Sequence, residues 1–165
     1  MARIDFFKGR GLIGVLIFLF ILFNVLLTRT MPVGLVLDLR FLYTPEILQE
    51  SLSQMGEVGR EQYWKGILYL DMPYILVYSY LFCRLIKNLW SGTHLYYLTI
   101  GIALADLFEN LLMLYHLQTF PEISHFLAYL TSLFTSMKWI MVASWFVLVV
   151  IGLIKKLFTR QLEAS

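Results

Sequence analysis

Cysteine is nearly missing from this chain, and charged residues are scarce. Cys83 is the only cysteine among 165 residues, so an internal disulfide is excluded, and with it redox chemistry between two thiols of the chain. Charged residues make up 15% of the chain and hydrophobic residues 59%, whereas about a quarter of a typical soluble domain is charged. This composition predicts an integral membrane protein whose first partners are membrane lipids.

Recognised catalytic and ligand-binding motifs are missing as well. The chain has no P-loop, no Gly-x-Ser-x-Gly elbow and no His-Glu-x-x-His helix. His116 and His125 lie nine residues apart, which is a poor metal-binding spacing, and no motif arranges the acids for Mg²⁺ or Ca²⁺. A basic stripe with interleaved aromatic residues is also missing. We therefore predict no metal, no cofactor and no nucleic-acid partner.

Long apolar runs are what the chain does contain. They lack the alternation of barrel strands, so helices are the expected way to satisfy the backbone in hydrocarbon. The predicted spans are residues 11–28, 66–83, 95–115 and 130–154, the last within an apolar stretch over 126–154. The predicted fold is therefore all-α: a four-helix transmembrane bundle that forms a single integral membrane domain over residues 1–165.

The segment 29–65 is the one sizeable stretch outside the predicted spans. Thr44-Pro45-Glu46 is a favourable helix start, since Thr caps free amides, Pro tolerates the first turn and Glu faces the positive end of the helix dipole. Gly56 offers a left-handed stop. The apolar side of this helix would consist of Ile47, Leu48, Leu52 and Met55. We predict a short external amphipathic helix between the first two spans, from Pro45 to about Met55, lying on the membrane surface.

Basic residues predict the topology. Eight of the 13 lysines and arginines fall in the two tails and the turn after the second span: Arg3, Lys8, Arg10, Arg84, Lys87, Lys155, Lys156 and Arg160. Both termini are therefore expected in the cytoplasm of a multi-pass protein of the cell (plasma or inner) membrane. The first apolar run is longer than the ~7 to 15 residues of a signal peptide and no small-x-small cleavage site follows, so we expect an uncleaved anchor.

Three polar residues interrupt the third span. Asp106, Glu109 and Asn110, spaced at i, i+3 and i+4, share one helix face, which we expect to point toward partner helices rather than lipid. Each charge at a helix centre costs ~2.5 to 3.5 kcal/mol on insertion scales, so such residues are functional by default. At ~1.5 Å of rise per residue, Asp71 of the second span reaches the same level, in the outer half of the bilayer.

These residues define a predicted pocket. Asp71, Asp106 and Glu109 would be its acids and the candidates for catalysis, with Lys138 as a cationic partner. Its other members would be Arg60 as a second cation, Asn110 as an orienting amide, and Tyr74 and Tyr78, while Asn24 is expected at a helix contact. Since three acids face one lysine, a proton, Arg60 or a bound cation has to balance the charge.

The same residues carry a resemblance. The sequence is similar to a family of small, uncharacterised four-span prokaryotic membrane proteins, through the motifs Tyr43-Thr44-Pro45-Glu46, residues 56–63 (GEVGREQY), Asp71 with Pro73, residues 105–110 (ADLFEN) and Lys138-Trp139. The pattern covers about two thirds of the chain. The resemblance implies the four-span fold and groups Tyr43, Gly59 and Arg60 with the buried acids, and it implies no reaction.

The expected function is the binding of a small or lipid-like ligand in the polar pocket. One alternative is a membrane-embedded enzyme that uses paired carboxylates, one neutral and one ionised, on a lipid-soluble substrate. Another is a structural or accessory subunit, whose polar residues fix helix register or contact a second membrane protein. A closed network without a cavity would favour structure, and a cavity with an unpaired carboxyl would favour binding or catalysis. Polar residues that face outward would favour a partner subunit.

Overall fold

A computed structural model of the chain describes residues 10–32, 34, 36–38, 40–91 and 93–163, so the predicted basic residues Arg3 and Lys8 lie outside the described residues. This part of the chain is helical and contains no strand. The helices are α1 (Arg10–Thr30), α2 (Pro45–Gly66), a π-helical segment (Ile67–Asp71), α3 (Met72–Leu89), α4 (Tyr96–Thr119) and α5 (His125–Glu163).

Four helical stretches of the described residues are long and apolar enough to cross a membrane. They are Gly11–Thr30, Pro45–Leu89, Tyr96–Thr119 and His125–Phe158. The all-α prediction with four membrane-length helices is thereby confirmed. The second of these stretches is longer than the predicted span because α2, the π-helical segment and α3 follow one another without a loop.

The sequence led us to expect a connection over residues 56–65, and the structure has a kink there instead. Thr44 caps α2 as predicted, since its hydroxyl accepts a hydrogen bond from the Ile47 amide at 3.5 Å. Gly56 leaves the helical region, with φ 64° and ψ 179°, a conformation that its missing Cβ permits. The helix resumes directly afterwards because Tyr63 and Gly66 are buried against the rest of the bundle.

The π-helical segment sits at the join between α2 and α3. Pro73, two residues beyond it, cannot donate a backbone hydrogen bond, and its ring crowds the preceding turn. The wider π turn is a means of absorbing that loss, and such turns occur frequently at functional sites. Asp71 is the last residue of the segment, so its side chain is set by this irregular turn.

Two apolar clusters hold the bundle together. The first lies at the end that carries the described residues between 31 and 44 together with residues 120–124, which we call the loop end. It contains Leu37, Tyr43, Leu48, Leu52, Met55, Tyr63, Ile67, Met113 and Ala128. The second lies farther from the loop end and contains Ile75, Tyr78, Ile86, Ile102, Trp145 and Val149. The loop residues and the first half of α2 therefore cover the ends of α4 and α5.

Helix α1 is peripheral. It packs against α2, the π-helical segment and α3, and in the described residues none of its Cα atoms lies within 8 Å of a Cα of α4 or α5. Its contacts with α3 centre on Tyr74, whose ring lies 5.4 Å from that of Phe20 and 6.0 Å from that of Phe23, between centroids. One side of the bundle, between α1 and α5, is consequently left unfilled by helix packing.

Candidate functional site: a polar cavity between α1 and α5

A cavity of about 560 Å³ occupies the unfilled space beside α1. This volume is within the ~300 to 1,000 Å³ usual for small-molecule sites. Its polar wall is formed by Asn24, Thr28, Asp38, Asp71, Tyr74, Tyr78, Asp106, Lys138 and Trp139, and its apolar wall includes Leu27, Met31, Val36, Phe82, Ile102 and Val142. Side chains from the loop and from α1, α3, α4 and α5 thus converge on one space.

Lys138 of α5 bridges two acids of α4. Its Nζ lies 3.0 Å from Oδ1 of Asp106 and 2.6 Å from Oε2 of Glu109. The exposed fractions are 8% for Lys138, 6% for Asp106 and 0% for Glu109, so all three groups are removed from the surface. The i, i+3 spacing on α4 presents both acids to α5, as the sequence pattern predicted.

Glu109 is held by its ion pair with Lys138 and not by a hydrogen bond. Both of its carboxyl oxygens are buried, and neither has a hydrogen-bond partner in the part of the chain that the structure describes. A buried polar atom without a partner is costly. Glu109 and Asn110 do not line the cavity themselves, so they form a second layer behind Asp106 and Asp71.

Hydrogen bonds from uncharged donors join the other polar groups of the cavity. The Asn110 amide donates to Oδ2 of Asp71 at 2.8 Å, and the Tyr78 hydroxyl donates to Oδ2 of Asp106 at 2.7 Å. The Asn24 amide donates to the Tyr74 hydroxyl at 2.6 Å, which ties α1 to α3. Asp71 is therefore connected through Asn110 to the helix that carries Asp106 and Glu109.

Asp38 is a cavity residue that the sequence reasoning missed. Its Oδ1 accepts a hydrogen bond from the Tyr63 hydroxyl at 2.5 Å, and its backbone carbonyl accepts one from the Trp139 indole at 2.6 Å. The loop is also fixed to α5, since the Tyr43 amide donates to the Ser132 hydroxyl at 2.8 Å. The available signal was the apolar sequence around Asp38, residues 33–39 (VGLVLDL), which is unusual for a solvated loop.

Arg60 does not join the predicted constellation. Its guanidinium donates to the Leu52 carbonyl at 2.9 Å and stacks over the Phe120 ring, 4.2 Å from the centroid. It borders a separate depression of about 310 Å³ with Glu57, Glu61, Trp64 and Leu117. Position 60 lies on α2 rather than in a flexible loop, so its side chain is directed by the helix and not toward the cavity.

The histidines occupy separate positions. His116 is fully buried, with Nε2 3.3 Å from the Thr131 hydroxyl, whereas His125 begins α5 and is exposed. Among the described residues no group of three or more His, Cys, Asp or Glu side chains is placed to hold a metal ion. The acids of the cavity therefore face a common space without converging on one point.

The Asp38 carboxyl gives the site a pH dependence that can be measured. Burial raises its pKa above the ordinary value of 3.8, and the neighbouring Lys138 ammonium offsets this only in part. The folded state then retains a proton that the unfolded chain releases, so this carboxyl lowers stability as pH rises from about 4 through the raised pKa. We expect the Asp38→Asn variant to gain melting temperature over wild type at neutral pH, by about 2 to 4 °C per kcal/mol, and to lose that advantage near pH 4.

Thermal unfolding in detergent between pH 4 and pH 8 measures this difference. Glu50→Gln on the exposed side of α2 is the matched control, since it removes a carboxylate that is already solvated. A variant that is less stable than wild type at neutral pH, by an amount that shrinks as the pH falls toward 4, would show instead that Asp38 acts as an ionised partner of Lys138.

No family model matches the chain, and no curated protein or solved structure is significantly similar to it. The likeness to small four-span membrane proteins therefore stays a resemblance between motifs, and the function has to be argued from the cavity.

Proposed function

We propose that this protein binds a small or lipid-like ligand in the cavity between α1 and α5. The observation that carries the proposal is a single space with a charged, hydrogen-bonding wall and an apolar wall, at a size usual for ligand sites. A polar network that served helix register alone would be expected to close on itself and leave no cavity. The polar part of the ligand would contact Asp71, Asp106 and Asn24.

Entry from the bilayer is part of this proposal. Since α1 has no Cα within 8 Å of α5 in the described residues, the cavity borders a side of the bundle where the helices are separated. The apolar residues Leu27, Ile102 and Val142 line it and would accompany an acyl chain or another apolar body. A ligand dissolved in the membrane could thus reach the acids without crossing water.

The orientation in the membrane is also proposed. With both termini in the cytoplasm of a cell-membrane protein, the loop end would face outward and the first half of α2 would lie at the outer surface. This is supported by the burial of Leu48, Leu52 and Met55 under an exposed face with Glu46 and Glu50. At the opposite end Lys87 stacks on Tyr96 and Lys155 on Trp90, as basic and aromatic residues do at membrane interfaces.

A membrane enzyme is the second candidate, and one observation favours it. Two of the cavity acids have different partners: Asp106 is paired with the Lys138 cation, whereas Asp71 is bonded by the neutral Asn110 amide. Unequal surroundings are how a pair of carboxyls divides the roles of acid and base. A bound molecule recovered unchanged after incubation would support binding, and a converted one would support catalysis.

The test of the proposed binding is the identity and amount of the co-purified ligand. Mass spectrometry of extracts from purified wild type and from Asp106→Asn should show a molecule present at close to one per chain in wild type and reduced at least about tenfold in the variant. That ratio corresponds to ~1.4 kcal/mol. Equal contents in two folded proteins would count against a pocket at Asp106. Glu50 is exposed and does not line the cavity, so Glu50→Gln is the control and should retain the molecule.

A further inference from the structure

We infer that the ligand carries a quaternary ammonium group on an apolar body. This inference rests on the proposed function and names the chemical class that the same cavity would take. It follows from the balance of charge around the cavity and from the aromatic side chains that line it, two features that depend on different residues.

The charge of the site is not balanced by the protein. Lys138 is paired with Asp106 and Glu109, while the Asp38 and Asp71 carboxyls are bonded only by neutral donors, Tyr63 and Asn110. Arg60, which could have supplied a second cation, stacks on Phe120 outside the cavity. Within the described residues no cation lies at ion-pair distance from Asp38 or Asp71. A cationic ligand would take the place of the proton that the buried Asp38 carboxyl otherwise retains, and an anionic ligand would add to the negative charge of the site.

Aromatic rings line the cavity next to these acids. Tyr74, Tyr78 and Phe82 follow one another on α3, with centroid separations of 5.2 and 5.4 Å, and Trp139 contributes from α5. Aromatic rings together with carboxylates are the usual surroundings of bound quaternary ammonium groups, since the ring quadrupole attracts a cation and a quaternary ammonium is only weakly hydrated. A neutral polyol would meet hydrogen-bond acceptors here but would leave the charge unbalanced.

A metal ion is a poorer fit to the same acids. In the described residues no three acidic, histidine or cysteine side chains are arranged around one point, as a small cation would require. A quaternary ammonium group is larger and has no N–H donor to direct, so acids and rings that are spread over a cavity wall can all contribute to its binding. The apolar residues Leu27, Val36 and Val142 would contact the remainder of the ligand.

The experiment compares three probes that carry the same decyl chain on protein reconstituted in zwitterionic lipid nanodiscs. Decyltrimethylammonium is the cationic probe, its carbon isostere with a tert-butyl head is the neutral probe, and decyl sulfate is the anionic probe. Occupancy is measured by native mass spectrometry, with the cavity-blocking variant Val142→Trp giving the background from the bilayer. We expect the ammonium probe to bind wild type at least about tenfold more tightly than the neutral isostere, and decyl sulfate not to exceed background.

Substitution of the acids completes the test. Asp71→Asn should weaken binding of the ammonium probe at least about tenfold, and Asp38→Asn should weaken it independently. The exposed control Glu50→Gln should leave its binding unchanged. If the neutral isostere binds as tightly as the ammonium probe and both are lost in Val142→Trp, the pocket stands and the ammonium inference is overturned. If no probe exceeds the background, the proposed binding function fails with it. The Asp38 variant keeps the test decisive should Asp71→Asn fold poorly.

Discussion

Replacing Lys138 with methionine is expected to destabilise the folded bundle by ~3 to 5 kcal/mol, because removing one partner of a buried ion pair leaves the other charge uncompensated. Here the substitution would leave two acids without a cation, since the Lys138 ammonium contacts both Asp106 and Glu109. All three side chains are at least nine-tenths buried. Methionine keeps the length and much of the volume of the lysine stem, so the change in stability would reflect the lost charge rather than lost packing. Unfolding by SDS titration in mixed micelles measures it.

A rescue experiment separates charge from packing. Adding Asp106→Asn and Glu109→Gln to Lys138→Met should recover most of the lost stability, because neutral amides can hydrogen-bond to one another without a cation. Stability of Lys138→Met equal to that of wild type, or the same loss with and without the two amides, would contradict the paired arrangement.

The second large effect that we expect is the loss of ligand when the cavity is filled. Val142→Trp places an indole into open space on the cavity wall, so ligand occupancy should fall at least about tenfold, or ~1.4 kcal/mol. Val142 packs against the second apolar cluster and also borders the cavity, so the added volume has open space to enter and the melting temperature should stay close to that of wild type. Native mass spectrometry of the protein released from nanodiscs gives the occupancy.

The same helix offers a matched control. Val147 carries the same side chain as Val142 but is 54% exposed and does not line the cavity, so Val147→Trp should retain the ligand. Loss of ligand from both variants, or from neither, would show that occupancy does not depend on the cavity between α1 and α5.

The parts of this site that could be predicted are those set by helix geometry. Asp106, Glu109 and Asn110 are all buried because residues spaced at i, i+3 and i+4 must share a face. Counting the rise along two helices brought Asp71 to the same level, and its hydrogen bond to Asn110 agrees with that count. The partners of Lys138 were harder to assign, because α5 extends over 39 residues and its depth is not limited by its length.

The two residues whose placement the sequence did not predict lie in a segment where helical periodicity gave no guide. Asp38 and Arg60 both lie between the predicted first two spans, and the sequence favoured the arginine because its charge would balance the acids. In the structure α2 continues beyond the kink at Gly56, so Arg60 lies on a helix and stacks on Phe120. The irregular segment before α2 places Asp38 in contact with Tyr63 and Trp139. The position of a loop residue such as Asp38 is set by tertiary contacts, and so is the continuation of a helix past a glycine such as Gly56; no local pattern encodes either.

The most direct test is to map where a membrane-dissolved molecule contacts the chain. A phospholipid with a diazirine in its acyl chain, photolysed in nanodiscs and followed by peptide mass spectrometry, should label the cavity positions Leu27, Ile102 and Val142 above the level of lipid-facing positions such as Val147 and Phe146. Labelling should fall at Leu27 and Ile102 in Val142→Trp. Uniform labelling of the outer helix faces, with no enrichment at the cavity and no change in the blocked variant, would contradict a ligand site between α1 and α5.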